Sequence, residues 1–423
     1  MSVRIVSDNF PLIVIGVFAS LAIPNIVGAA EWTAEPAVTV RREYHDNINL
    51  STQPQSSVLG TIVQPNLDLG MKTPAWLVAA GVSVTQRRYS GGASALDQDD
   101  TTLIISTVHW AERSSWQLNA SHLKTSLLTG DQINSDTGVV QTQRQSETKS
   151  ISPGWTWLQS ETSQLQIQYL WSEVSYGNSQ NVGLFDYRYQ SASATYTKHL
   201  SERNQVFVTG GYSRFDVPLT GFRSDTGNAQ VGITRRFFET TIGTLQAGLR
   251  NTESFTRGGN PIYTRFSTIV DGQIVDVLVQ TGVTQDSTDQ KTSTVYSGNL
   301  ERKYEKSIVK MGLSSALSPS GSGGQAEQYS YYASFSNPLT ERLTLAVDGN
   351  VVKTRNFQGN ITNSELTYYE FNSGLDWQWM RDLSLNLRYR HSRAKRIFET
   401  TAADSNAIYL SLIYRPLKMS MSR

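Results

Sequence analysis

The residues of this sequence best suited to chemistry are charged side chains that recur on one face of alternating segments. The segment 383–390 reads LSLNLRYR, in which apolar and polar residues alternate. Because side chains of a β-strand point alternately to its two faces, Arg388 and Arg390 share the face opposite the apolar residues. Arg415 ends a second alternating segment, IYLSLIYR at 408–415. Fixed charges on such a face could line a pore and select permeants by the sign of their charge.

The same alternation predicts pore-lining charges along the whole chain. The predicted residues are Arg41, Arg87, Arg236, Arg250, Lys310, Asp348, Asp376, Arg388, Arg390 and Arg415. With Glu43 and Asp68 counted as well, eight basic residues on this face stand against four acidic ones. That ratio favours anionic permeants. The alternative is that these charges pair with each other and only keep the inner wall solvated, and the sequence leaves both interpretations open.

Other kinds of chemistry find little support in the sequence. The five histidines stand singly, without the spacing of a metal site, at His45, His109, His122, His199 and His391. The chain has no cysteine, which excludes disulfides, thiol catalysis and thiolate metal sites. With 37 basic and 36 acidic residues, it has no charge bias that would favour nucleic acid. No catalytic or nucleotide-binding motif occurs, so we predict a protein that is not an enzyme and uses no cofactor.

The elements that must position these charges are long β-strands. Alternation predicts eighteen strands, at residues 35–48, 57–71, 75–89, 99–112, 115–128, 146–159, 164–177, 186–199, 205–217, 225–238, 243–257, 290–304, 307–317, 326–337, 342–356, 364–379, 383–397 and 405–417. Strands of globular proteins usually have about 5–6 residues. A tilted strand needs about 9–11 residues to cross the hydrocarbon of a membrane. The length of these segments therefore favours a membrane barrel over a soluble sandwich.

The connections follow the layout of an outer-membrane barrel. Short turns, such as 72–74 and 381–382, alternate with longer polar loops, such as 129–145. In these barrels the short turns are periplasmic and the long loops extracellular. Tryptophans near the short turns and tyrosines near the long loops predict two aromatic girdles at the membrane interfaces. We therefore predict an all-β fold, a transmembrane antiparallel up-and-down β-barrel of about eighteen strands, located in the cell outer membrane.

Two segments stand apart from this pattern. Residues 1–29 combine Arg4 with the apolar run 10–23 and small residues before a cleavage site, which indicates a signal peptide. A monotopic anchor helix is the alternative. The barrel would then occupy residues 30–423. The loop 258–289 is predicted to be extracellular and to contain a β-hairpin that projects outward or folds over the pore; if this hairpin joined the wall, the barrel would have twenty strands.

Short motifs at both ends of the predicted barrel are shared with a known family. The opening strand ends in YHDN at 44–47, a Tyr-x-Asp-Asn motif, and the last strand carries YLSLIYRP at 409–416. In these motifs the chain resembles the β-barrel porin family associated with exopolysaccharide and exosortase gene sets. The resemblance implies a passive conduit through which a secreted polysaccharide crosses the outer membrane, and it implies no catalytic residues.

Three functions stay open at this stage. The first is a conduit for exopolysaccharide or another anionic carbohydrate, the second a general porin for solute diffusion, and the third a scaffold barrel without an open pore. The predicted partners are outer-membrane lipid, polysaccharide or small solutes, and the barrel assembly machinery. Because residues 418–423 follow the last predicted strand, that machinery would have to read an internal signal at 408–414.

Overall fold

The computed structural model of the chain describes most of the predicted barrel. The described residues are 30–53, 56–90, 96–126, 145–177, 184–258, 261–270, 273–283, 285–356, 365–396 and 401–422. The predicted signal peptide, residues 1–29, lies outside them. None of the described residues forms a helix long and apolar enough to cross a membrane.

The β-strands follow the alternating segments of the sequence. Within the described residues they are β1 Glu31–His45, β2 Val58–Lys72, β3 Trp76–Ser90, β4 Gln98–Trp110, β5 Ser114–Ser126, β6 Gln145–Ser160, β7 Ser163–Tyr176, β8 Tyr187–His199, β9 Asn204–Val217, β10 Phe222–Phe238, β11 Thr241–Thr256, β12 Pro261–Val270, β13 Gln273–Val283, β14 Ser287–Lys303, β15 Ile308–Ser320, β16 Gly324–Pro338, β17 Leu343–Asn356, β18 Glu365–Gln378, β19 Leu383–Arg396, β20 Ala403–Tyr414 and β21 Met419–Ser422. Most begin and end within a few residues of the predicted bounds.

The wall is one antiparallel sheet that closes on itself. From β1 to β11 and from β14 to β20, each strand pairs with the next one in the chain, and β11 pairs with β14. β1 also pairs with β20, with Val38 opposite Tyr414 and His45 opposite Ala407. The fold is therefore a closed, eighteen-stranded up-and-down barrel, which confirms the predicted fold class. Closure removes the open sheet edges that lipid does not tolerate.

The last wall strand is interrupted near its end. β20 ends at Tyr414, and the four residues that follow include Pro416, which has no N–H to donate to the sheet. β21 then resumes pairing with β1, and Glu31 lies opposite Ser422. Both ends of the described chain therefore meet at one rim. The predicted strand 405–417 misses this continuation because alternation is lost at the interruption.

The hairpin of the loop 258–289 stays out of the wall. β12 and β13 pair with each other from Pro261–Val283 to Val270–Gln273, in a separate two-stranded sheet. The alternative count of twenty wall strands is therefore wrong. The extracellular position of this loop stays a prediction.

The outer surface of the wall is apolar and exposed. Along β20, Ile408, Leu410 and Leu412 are 49%, 51% and 38% exposed, whereas the intervening Tyr409 and Ser411 are 4% and 7% exposed. A row of exposed aliphatic side chains opposite a polar row is the pattern of a strand between lipid and a wet lumen. The protein is an outer-membrane β-barrel with its apolar rows toward lipid.

The rim that holds the short turns carries a belt of tryptophans. Trp116, Trp155 and Trp157 lie in a row, with successive ring centroids 5.8 and 6.2 Å apart. Trp377 and Trp379 stack with centroids 6.1 Å apart. Because amphipathic rings favour the headgroup level, this belt marks one membrane interface. Short turns are periplasmic in such barrels, so we expect this rim to face the periplasm.

Candidate functional site in the barrel lumen

The predicted pore-lining charges lie on the strand faces that point away from lipid. Nine of the ten lie on wall strands, and Arg415 directly follows β20. The register connects two of these positions: Asp376 and Arg41 lie at the ends of a row of successive partners across four neighbouring strands, with Asn386 and Ser411 between them. Their part in permeation stays a prediction.

Five of the predicted basic residues contact carboxylates inside the barrel. The pairs are Arg41 Nε–Glu43 Oε2 at 3.1 Å, Arg87–Asp100, Arg250 Nη2–Glu327 Oε1 at 2.8 Å, Lys310 Nζ–Glu301 Oε2 at 3.4 Å and Arg390 Nε–Glu370 Oε2 at 3.9 Å. Most of these carboxylates are missing from the sequence prediction, although strand parity could have placed Asp100, Glu301 and Glu370. The predicted excess of basic over acidic charge is therefore largely neutralised.

The predicted acidic residues of β17 and β18 are held by carboxamides. Asn372 Nδ2 donates to Asp348 Oδ2 at 2.9 Å, and the Asn386 carboxamide donates to Asp376. These carboxylates are thus fixed by neutral donors. In the part of the chain that the structure describes, three predicted basic residues have no carboxylate partner: Arg236, Arg388 and Arg415.

A basic strip, defined as Arg41, Arg388 and Arg390, runs along β19 and β1 beside Tyr409. The guanidinium carbons of Arg41 and Arg390 lie 5.3 and 5.1 Å from the Tyr409 ring centroid. Arg388 is opposite Tyr409 in the register and is exposed to the lumen. Contact with the ring fixes two of the guanidinium groups. Arg388 is the member of the strip best placed to meet a solute.

One hairpin separates from a neighbouring wall strand and bends into the lumen. β14 and β15 pair only up to Ser297–Ser314. β15 and β16 stay paired with each other as far as Ser320–Gly324. Residues 315–328, which we call the inner hairpin, therefore separate from the neighbouring wall strand β14, whereas β16 stays paired with β17 as far as Ala326.

Hydrogen bonds across the lumen hold the tip of the inner hairpin. The Phe185 N–H, just before β8, donates to the Gly321 carbonyl at 2.7 Å. The hydroxyl of Ser224, on β10, donates to Gln325 Oε1 at 2.8 Å. The tip is thus bonded to strands that are far from β15 and β16 in the wall, so it narrows the lumen.

A buried ion pair anchors the inner hairpin to β11. Arg250 and Glu327 are 3% and 9% exposed, and Arg250 also donates from Nε to Ser293 Oγ at 3.1 Å. Glu327 has the strand parity of lipid-facing Phe335, so a hairpin that stayed in the wall would direct this carboxylate outward. The carboxylate reaches Arg250 because the hairpin has separated from β14 and bends into the lumen.

An apolar cluster supports the hairpin tip near the long-loop rim. Phe215 and Val217 are fully buried inside the barrel, and Phe215 packs against Tyr187 and Phe222 at ring-centroid distances of 5.2 and 6.0 Å. Gly323 has φ +87°, and a Cβ atom there would lie 2.8 Å from the Phe185 ring. Only glycine combines this backbone conformation with this close approach. The narrowing is therefore a packed structure.

A cavity of about 320 Å³ lies between the inner hairpin and the wall. Carboxamides and hydroxyls line much of it, including Asn228, Gln230, Gln246 and Ser315. Gln246 Nε2 donates to Gln230 Oε1 at 2.7 Å. Such neutral polar groups suit water and small hydrophilic solutes. Within the described ranges, no cluster of three histidine, aspartate or glutamate side chains could hold a metal ion.

Comparison with known proteins finds likeness to solved structures only. No protein-family model matches the chain, and no curated protein matches it. OpdK of Pseudomonas aeruginosa with vanillate is 12% identical with a TM-score of 0.45, over 92% of this chain and 99% of that chain. OccK2 (OpdF) of the same organism in complex with glucuronate is 12% identical with a TM-score of 0.46, over 91% and 98%. OccAB2 of Acinetobacter baumannii is 12% identical with a TM-score of 0.45, over 92% and 98%. The barrel assignment rests on the strand pairing of this chain itself.

Proposed function

We propose that this outer-membrane barrel is a passive diffusion channel for small hydrophilic solutes. The observation that carries the proposal is the inner hairpin, which is fixed inside a polar lumen. Barrels of about sixteen to eighteen strands enclose an aqueous channel. A hairpin held across such a channel limits the size of what can pass. This arrangement suits small solutes better than polymers.

The proposal does not require strong selection of solutes by the sign of their charge. Five lumen cations have a carboxylate partner, so their fields are partly cancelled. Arg388, in the basic strip, retains an exposed cation without such a partner among the described residues. We expect a modest preference for anionic solutes that depends on this strip.

The family resemblance implies a conduit for exopolysaccharide, and this function would require a structural change in the lumen. A polymer would have to pass the inner hairpin, whose Glu327 is buried against Arg250. That passage requires the hairpin to move, and moving it breaks the ion pair and the hydrogen bonds of the tip. Diffusion of small solutes requires no such motion.

Single-channel recording of the purified protein in planar bilayers tests the proposal. We expect stable conductance that decreases when small polyethylene glycols enter the pore and is insensitive to large ones. If long polysaccharide chains reduce the conductance as much as small polyethylene glycols do, the polymer conduit is favoured. If the heat-modifiable, folded barrel shows no conductance, both transport functions fail and the scaffold barrel is left.

The same proposal includes a route to the outer membrane. Residues 1–29 would be removed as a signal peptide, and β20 would carry the internal signal for the barrel assembly machinery. N-terminal sequencing of the protein from isolated outer membranes tests the first step. We expect the mature chain to begin at Ala30, and an intact Met1 would exclude cleavage.

A further inference from the structure

The cavity between the inner hairpin and the wall, which we call the hairpin cavity, contains polar groups that no described residue binds. Ser315 is 3% exposed, and its hydroxyl oxygen has no hydrogen-bond partner among the described residues. The side-chain oxygen of Asn228, on β10, is also buried and has no partner within the same residues. Both residues line the hairpin cavity. Because buried polar groups of folded proteins are almost always hydrogen-bonded, these two groups point to a polar ligand.

The separation of β15 from β14 creates the space for such a ligand. Paired strands lie about 4.8 Å apart, which leaves no room for a solute between them. Ser297 and Ser314 are the last partners of these two strands, and beyond them the cavity lining continues to Val295 on β14 and to Leu317 on β15. The volume of about 320 Å³ falls at the lower end of the usual range of ligand pockets, about 300–1,000 Å³. The hairpin cavity therefore has the size of a site for one small molecule.

The surroundings of the hairpin cavity are almost uncharged. Among the described residues that line it, Arg250 alone carries a charge, and its guanidinium group is bound to Glu327. The next charges on the lumen face of the lining strands lie at least four residues from the lining, at Arg236, Asp289, Lys291, Glu301 and Lys310. A charged solute would thus lose hydration in the cavity without contacting an opposite charge that is not already engaged. This arrangement favours an uncharged ligand.

The lining offers many hydrogen-bonding groups at short range. Asn228, Gln230 and Gln246 are partly exposed, so a solute can reach their carboxamides. Gln246 Nε2 donates to Gln230 Oε1, which leaves the Gln246 oxygen and the Gln230 nitrogen for a further partner. Carboxamides and hydroxyls can each donate and accept, and a hydroxyl of a ligand needs both kinds of partner. The side chains of Val295 and Leu317 provide apolar surface for the C–H groups of the same ligand.

We propose that the hairpin cavity is a binding subsite for small uncharged polyols, such as sugar alcohols, on the diffusion path. Several hydroxyls on a short carbon chain match the carboxamides and hydroxyls of the lining, and the absence of charge on a polyol matches the neutral surroundings. The inference rests on the proposed diffusion function, to which it adds a class of solute. Binding can be measured without transport, so the two proposals can fail separately.

Saturation-transfer NMR of sorbitol with the folded full-length barrel in detergent micelles tests the proposal. We expect saturable binding of sorbitol. Gluconate, which has the same number of carbons but carries a carboxylate, should bind at least roughly tenfold more weakly, because an ionised carboxylate is costly to desolvate.

Two variants and a matched control locate the binding site. Ser315→Ala and Asn228→Leu should each weaken sorbitol binding roughly fivefold, the equivalent of about 1 kcal/mol for one neutral hydrogen bond. Asn119 is also a lumen-facing carboxamide, but it lies on β5, outside the cavity lining, and accepts a hydrogen bond from Ser106 at 2.7 Å. Asn119→Leu should therefore bind sorbitol like the unmodified chain.

Three results would overturn the proposal. The first is no saturable binding of sorbitol, which would mean that the cavity holds water only, and the second is binding of gluconate as tight as that of sorbitol. The third is equal weakening by Asn119→Leu and Asn228→Leu. Heat-modifiable gel mobility verifies that each variant is folded, and Ser315→Ala, which removes a single oxygen atom, decides alone if Asn228→Leu does not fold. Sorbitol binding by a barrel without conductance would refute the diffusion channel and support the subsite, whereas conductance without sorbitol binding would refute the subsite alone.

Discussion

Replacing Glu327 by glutamine removes the carboxylate that holds Arg250 beneath the inner hairpin. The side chains of Arg250 and Glu327 are 4% and 11% exposed, so the variant removes a counter-charge from an almost buried guanidinium group. Breaking a buried ion pair by removal of one partner costs about 3–5 kcal/mol. About 1.4 kcal/mol corresponds to a tenfold change in an equilibrium constant. The equilibrium between the hairpin inside the lumen and the hairpin displaced should therefore shift at least roughly 100-fold toward the displaced position.

Other contacts of the inner hairpin remain in Glu327→Gln. They include the hydrogen bonds of Phe185 to Gly321 and of Ser224 to Gln325, each worth about 1 kcal/mol net, together with packing of the tip and the pairing of β16 with β17. We therefore expect a channel that fluctuates between the native conductance and a larger one. Single-channel recording in planar bilayers measures both levels and the time spent in each.

Two further variants test whether the conductance fluctuation arises from loss of the buried ion pair. The double variant Arg250→Gln with Glu327→Gln removes both members of the ion pair, so no buried cation has lost its partner and the channel should fluctuate less than Glu327→Gln. Glu301→Gln serves as a control because it changes a more exposed ion pair, in which the side chains of Glu301 and Lys310 are 34% and 50% exposed. This variant should leave the fluctuation pattern unchanged. If Glu327→Gln and the unmodified channel give the same conductance and the same fluctuation, the inner hairpin does not limit the pore and the reasoning fails.

Other substitutions test the lumen, the packed tip and the lipid-facing wall. Arg388→Glu should reverse or abolish the modest anion preference, measured as the reversal potential in a salt gradient, and an unchanged preference would refute the role of the basic strip. Gly323→Val strains a residue at φ +87° by about 1–3 kcal/mol and pushes on the Phe185 ring, so it should raise conductance as Glu327→Gln does. Phe215→Ala should destabilise the apolar cluster by about 3–5 kcal/mol, seen as a lower urea midpoint in folding experiments, and no change would contradict its packing role. Leu410→Arg, in the lipid-facing row of β20, should cost about 2–4 kcal/mol if the residue lies near the bilayer midplane; a variant as stable as the unmodified chain would place that row outside the hydrocarbon.

The strands could be predicted from the sequence because their signal is local. β19 extends over Leu383–Arg396 against a prediction of 383–397, since each lipid-facing strand must alternate along its own length. β1 is different: it begins at Glu31, earlier than the predicted 35, because its partners Lys72 and Ser422 extend that far. A strand ends where its partner strands end, and the alternation along one strand carries no information about the length of its partners.

The candidate site was less accessible from the sequence. Parity placed Arg41, Arg87 and Arg390 on the lumen face, but it did not show which lumen carboxylate pairs with each of them. Ion pairing depends on register across strands, and register is decided by turn geometry and by the closure of the whole sheet. The predicted excess of positive charge therefore differs from the largely paired lumen of the structure.

The sequence by itself determined a barrel of about eighteen strands with apolar rows toward lipid, since a period of two in long segments leaves each side chain only two possible faces. The tertiary structure alone decided what narrows the pore. Glu327 carries the parity of a lipid-facing residue, yet it is buried inside the barrel against Arg250. The reason is physical: β15 separates from β14 beyond Ser314, while β16 stays paired with β17. The hairpin therefore bends into the lumen, and strand parity no longer predicts which side of the barrel its side chains occupy.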